Sequence, residues 1–114
     1  AFVSPYEQSV TEAMRLNLHQ DGFKIKYQIS FNENDDTVVA RIAEEDSLKA
    51  IIDIGRNDVD AIFISCTNLK TFNIIDKAEK VLQKPVISSN QALIWHMLKP
   101  LKINKKGPGL LFQK

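Results

Sequence analysis

Cysteine is almost missing from this sequence: 114 residues contain one, Cys66. A lone thiol cannot close an internal disulfide, so the core must hold the fold, and a reducing cytoplasm is the expected setting. No Asn-x-Ser/Thr tripeptide argues for secretion either. Long hydrophobic runs are lacking too; none nears the roughly 20 apolar residues of a bilayer-spanning helix. No segment shows the charged, apolar and small-residue zones of a signal peptide. Charge of one sign is not in excess: 15 Lys and Arg against 14 Asp and Glu give a net charge of +1. Composition therefore supplies no reason to expect a nucleic acid or membrane partner. Gly and Pro number only four each, and no linker, repeat or low-complexity tract interrupts the chain. What is present is 44% hydrophobic and 25% charged, the composition of a soluble globular protein. Residues 1–114 are enough for one core and are read as a single α/β domain.

Strand and helix signals alternate. Phe2-Val3-Ser4 predicts a short first strand. Ser4-Pro5-Tyr6-Glu7 then offers a capping box with Pro at the first helical position. Val10, Ala13, Met14 and Leu18 follow at helical spacing, and Gly22 closes that helix. Lys24 to Phe31 alternates, with Ile25, Tyr27, Ile29 and Phe31 on one face of a second strand. Beyond a polar loop, Leu48, Ile51 and Ile52 mark a helix, and Ala61 to Ser65 a third strand. Ile75, Ala78 and Leu82 form another helical stripe, and Pro85-Val86-Ile87-Ser88 a fourth strand. Ser88-Ser89-Asn90-Gln91 is a second capping box, opening a helix through Leu98 that Pro100 ends. This alternation predicts a three-layer α/β/α domain on a four-stranded parallel sheet, flavodoxin-like in outline. Ala1 is not methionine and the first strand starts almost at once, so the expectation is a domain from a longer protein.

The stretch Ile62-Phe63-Ile64-Ser65-Cys66-Thr67-Asn68-Leu69 delivers the thiol from a buried strand into a polar turn. Open α/β sheets bind ligands in the crevice beyond the carboxyl ends of their strands. The next helix is expected to start near Thr71. Its dipole and the N–H groups of Thr67 to Leu69 would then support a thiolate or hold a carboxylate. A small buried hydrophobe at a strand end is the other reading of Cys66, and spacing alone leaves both open.

Other groups carry less. His96 shares a helical face with Ala92, Leu93 and Met97, which predicts a packed core histidine rather than a general base. Glu33, Asp35 and Asp36 lack the glycine and spaced glutamate of a calcium loop, so no metal is expected. Lys99, Lys102, Lys105 and Lys106 make a basic tail without interleaved aromatics, which fits a solvated terminus better than nucleic acid. Gly107-Pro108-Gly109 is a turn without phosphate-loop spacing.

Two longer stretches carry a resemblance. Ile64-Ser65-Cys66-Thr67-Asn68-Leu69-Lys70-Thr71 and Lys84-Pro85-Val86-Ile87-Ser88-Ser89-Asn90-Gln91-Ala92-Leu93-Ile94-Trp95-His96 resemble the aspartate/glutamate racemase superfamily. Within it the chain is most similar to the maleate cis-trans isomerases, arylmalonate decarboxylases and ectoine-utilisation proteins. Ser4-Pro5-Tyr6 resembles the Thr-Pro-Tyr that opens their second domain, and Val39-Ala40-Arg41-Ile42 their Ile-Ala-Arg-Val.

The resemblance implies two similar α/β domains with the active site between them, this chain being the second, C-terminal one. It implies an enzyme without cofactors that acts on a small carboxylic acid. Racemases of this kind use one thiol as base and another as acid. Maleate isomerases add a thiolate to the double bond, rotate and eliminate; arylmalonate decarboxylases protonate an enediolate from this domain's cysteine. By the same carry-over Cys66 is catalytic, Thr67 and Asn68 line the carboxylate pocket, and Tyr6 contacts substrate unless it is simply a packed aromatic. Asp36 stands where the isomerases have Asn, which disfavours a carboxylate there and points to a different substrate, with the ectoine-linked branch one option. Asn68 stands where amino-acid racemases have His or Glu, which ranks racemisation below isomerisation. Two other readings are a binding module that kept the cleft but lost the chemistry, and a purely structural domain with Cys66 buried. The implied partners are the small acid, the N-terminal domain of the same chain and a homo-oligomeric copy; the isolated domain is expected to be inactive.

Overall fold

The structure, a computed structural model, describes residues 1–103 and 105–114. Its elements run β1 (Phe2–Tyr6), α1 (Gln8–Gln20), β2 (Gln28–Glu33), α2 (Asp36–Val39), α3 (Glu44–Gly55), β3 (Ile62–Ile64), α4 (Ile75–Leu82), β4 (Val86–Ser88) and α5 (Ser89–Leu98). A 3-10 turn, Leu110–Gln113, follows. All the strand pairs are parallel and the sheet order is β2-β1-β3-β4, so the predicted four-stranded α/β sheet is the one found.

Alternation along β1 and β3 separates the two faces. Val3 and Ile64 are in register and share one core with Ile51 and Ile54 of α3 and Ile75 and Ala78 of α4. Ile51, Ile62, Ile64 and Ile75 have no exposed surface there, each worth about 1.5–3 kcal/mol of burial. On the opposite face Phe2 stacks on Phe63 with ring centroids 5.8 Å apart, and Ser4 Oγ pairs with Thr11 Oγ1 of α1 at 2.7 Å. Helices thus cover both faces.

Several boundaries differ from expectation. The chain does not turn helical at Pro5: β1 continues to Tyr6, and the helix start at Glu7 has no side-chain cap. Ser4, the expected cap, spends its hydroxyl on Thr11 and on the Tyr6 N–H instead. Pro5 is tolerated because the β1–β2 register shifts between Ser4 and Tyr6, a bulge needing no ladder donor there. The second strand starts only at Gln28, leaving Ile25 and Tyr27 ahead of it, and the polar loop holds the short helix α2, capped by Asp35. Gly22 does close α1. Its φ of +94° and the bonds from Gly22 N to His19 O and Phe23 N to Leu18 O form a Schellman cap.

The C-terminal segment returns over α4 and α5. The Glu79 carboxylate, 8% exposed, accepts from Val86 N at 2.9 Å and Leu110 N at 2.8 Å. Asp76 accepts from Gly109 N at 2.7 Å, and Gln91 Nε2 donates to Pro108 O at 2.7 Å. Among the described residues, no helix is long and apolar enough to cross a membrane.

Candidate active site

The sheet order creates one switch point. The crossover from β1 leads to β2 on one side, while the next runs to β3 on the other, so a crevice opens beyond the carboxyl ends of β1 and β3. Tyr6 is the last residue of β1, and Cys66 lies just past the end of β3. The bulge at Pro5 re-aims the strand end that carries Tyr6.

Cys66 is buried, at 6% exposure, and has φ of +110°, a region that favours glycine. Its Sγ accepts from the Asn68 N–H at 3.3 Å. The Tyr6 phenol sits beside the thiol. Its pKa is pushed up to about 12, first by burial, then by hydrogen bonding and charge interaction with Cys66, then by the charge of Asp36. Tyr6 is therefore a phenol, a donor, across the whole neutral range.

Asp36 opens α2 at the end of the β2 connection, on the rim near Tyr6. Beside it, Asp35 accepts from Thr37 N at 2.7 Å and Thr37 Oγ1 at 2.6 Å. These bonds hold its carboxyl below the ordinary value, the side-chain bond contributing most. Thr67 and Asn68 are exposed next to the thiol. All the singled-out residues, Tyr6, Asp36, Cys66, Thr67 and Asn68, thus gather at one rim of the sheet, where Thr67 and Asn68 face solvent.

Two expectations need correction. α4 begins at Ile75 rather than near Thr71, so the Thr67 to Leu69 turn is not its N-terminus. The helix start that meets this turn belongs to α5: Ser89 Oγ accepts from Cys66 N at 3.2 Å, and Asn90 Nδ2 donates to Thr67 O at 2.9 Å. Ser89 and Asn90 are the residues that sequence reasoning missed at this site. The signal existed, because the capping box located the start of α5, and β3 and β4, as neighbours, bring their carboxyl ends side by side. His96 is also not a core residue; it is exposed on α5, on a helix that leaves Leu93, Ile94 and Met97 exposed as well.

A groove of about 780 Å³ lies elsewhere, lined by Phe23, Ile25, Val59, Phe63 and Ile87 among others. It opens near the amino ends of the strands, opposite the rim where an open parallel sheet concentrates its chemistry.

Comparison with known proteins converges on one group. The family described as Amdase, arylmalonate decarboxylase, matches residues 1–112. The maleate isomerase of Nocardia farcinica is 28% identical over 110 residues, covering 96% of this chain and 44% of that protein. The crystal structure of the maleate isomerase from Pseudomonas putida S16 superposes with a TM-score of 0.90 at 28% identity, over 97% of this chain and 46% of that one. A crystal structure of arylmalonate decarboxylase, at 24% identity, shares the fold with a TM-score of 0.85, over 99% of this chain and 52% of that one. The chain thus spans about half the length of the proteins it matches.

Proposed function

The chain belongs to the arylmalonate decarboxylase (Amdase) family, and from that membership we propose that it is the C-terminal, cysteine-bearing domain of a two-domain, cofactor-independent isomerase acting on a small carboxylic acid or dicarboxylate. The observation that carries this reading is the meeting of Cys66 and Tyr6 at the switch point, thiol beside protonated phenol.

Cys66 acts as a nucleophile toward a maleate-like alkene. A carbon–sulfur bond forms at one alkene carbon, and the π pair moves to the neighbouring carbon and into its carboxylate. The former double bond turns as a single bond. The pair then returns, the carbon–sulfur bond breaks, and the trans acid leaves with the thiolate restored. Atoms and electrons balance without an oxidant or reductant. Asn68 N–H donates to the sulfur; Tyr6, a donor because its pKa is raised, hydrogen-bonds a substrate carboxylate. Thr67 and Asn68 line the carboxylate pocket. Asp36 repels a carboxylate brought against it, which steers preference toward an acid whose second anionic group lies elsewhere. The family description favours one second reading, in which the Cys66 thiol protonates an enediolate left by decarboxylation.

The rest of the site belongs to a preceding domain that closes over the exposed Thr67 and Asn68. The test is turnover by the full-length gene product over a panel of small mono- and dicarboxylic acids that includes maleate and an arylmalonate. One acid of the panel is expected to be converted, Cys66→Ser to abolish it, and the 114-residue chain alone to be inactive because half of the site is absent. Failure of the full-length protein to convert any acid of the panel, or undiminished turnover by Cys66→Ser, overturns the reading.

A further inference from the structure

We propose that Ser89 and Asn90, in the first turn of α5, are positioning residues that hold the Cys66 thiol toward Tyr6. The inference rests on the reading of Cys66 as the reacting group and adds what aims it. The thiol's own connection to α4 does not aim it, because that helix begins only at Ile75. Instead the backbone on both sides of the Cys66 Cα is tied to α5. The Cys66 N–H donates to Ser89 Oγ at 3.2 Å, and the Thr67 carbonyl accepts from Asn90 Nδ2 at 2.9 Å. Between these ties the backbone takes φ of +110°, which a residue with a Cβ adopts only when its surroundings over-determine it.

The anchor is itself rigid. Ser88 caps α5 by accepting from Gln91 N at 3.2 Å, and Gln91 Oε1 accepts from Ser88 N at 3.2 Å. Ser88 and Gln91 have no exposed surface, and Gln91 also donates to the Pro108 carbonyl. Ser89 and Asn90, the two residues inside that box, are the ones that reach across to Cys66 and Thr67. The buried cap fixes the helix start, and the helix start fixes the turn. Neither Ser89 nor Asn90 touches the thiol itself, so neither is assigned a chemical step.

The chain's single cysteine gives a clean test. Alkylation of Cys66 by iodoacetamide is followed at one fixed pH, well below the thermal midpoint, in Ser89→Ala, Asn90→Ala and Ser89→Thr. The three-bond amide coupling of Cys66, which reports φ, is measured by NMR in the same variants. Loss of either tie is expected to free the buried thiol and raise its alkylation rate about three- to tenfold, the equivalent of one hydrogen bond. The coupling should shift with it, and Ser89→Thr, which keeps the acceptor, should restore both values. Unchanged rate and coupling in Ser89→Ala and Asn90→Ala, with only a lower thermal midpoint, would mean that these residues merely stabilise α5, and the proposal would be wrong. The assay needs no turnover, so an inactive full-length protein would sink the isomerase reading while the clamp stands or falls by itself.

Discussion

Tyr6 shows how much one position decides. Left in water its phenol would titrate near 10; between the sheet end and the thiol it titrates near 12. A folded-state pKa raised in this way stabilises the fold at any pH below about 10. That contribution is lost as the pH climbs from there to about 12. Phenolate absorbance in a Tyr27→Phe background isolates this group, since the chain has two tyrosines. Cys66→Ala is expected to lower the Tyr6 midpoint toward its ordinary value, because the thiol supplies the second and third causes of the shift; burial keeps the midpoint from returning fully. A midpoint that ignores the loss of the thiol would show that burial alone sets it.

Among the elements, the C-terminal strap is sensitive to a single substitution. A Cβ on Gly109 would lie 2.7 Å from Ile75 Cγ2 and 2.9 Å from Gln91 Nε2, at φ of +78°. Gly22 also has positive φ, but nothing stands within 4 Å of its missing Cβ. Gly22→Ala should therefore cost only the conformational penalty, about 1–2 kcal/mol. Gly109→Ala should add about 1–3 kcal/mol of overpacking. Urea unfolding of the two variants checks the difference, and equal losses would contradict it. Element identity was legible in the sequence wherever one local rule ruled alone. Ser88 to Gln91 reads as a capping box and is one, and Ile75, Ala78 and Leu82 read as a helical stripe, of which Ile75 and Ala78 are buried and Leu82 half-buried against the core. Ser4 to Glu7 reads equally well as a box, yet Thr11 competes for the Ser4 hydroxyl and β1 outbids the helix. The helix α2 was invisible because four residues carry no period. At the rim, the placing of Cys66 just past a strand end was legible in the residues themselves, whereas Tyr6, Thr67 and Asn68 were singled out only by the resemblance. The Ser89 and Asn90 ties join residues 23 apart in the chain; the capping box located the helix start, but pairing it with Cys66 also required knowing that β3 and β4 are neighbours.

At the scale of the molecule, the sheet order sets where stability and reactivity reside. β1 and β3 are the inner strands; β2 and β4 are edges. The Ser65 N–H donates to Val3 O at 2.9 Å and the Phe63 N–H to Ala1 O at 3.0 Å, linking the two inner strands under both helical layers. Native-state hydrogen exchange is expected to be slowest at these amides, near the rate of global unfolding. The amides of β2, only half-buried along most of its length, should exchange faster. Protection of β2 equal to that of β3 would place the last structure to open somewhere other than the switch point.

The backbone at position 66 has a further consequence for folding. With φ of +110°, that site prefers glycine, which would relieve strain of about 1–3 kcal/mol. Glycine is thus the residue this turn would accept most readily, and Cys66→Gly is expected to fold with no loss of stability from the backbone at that point.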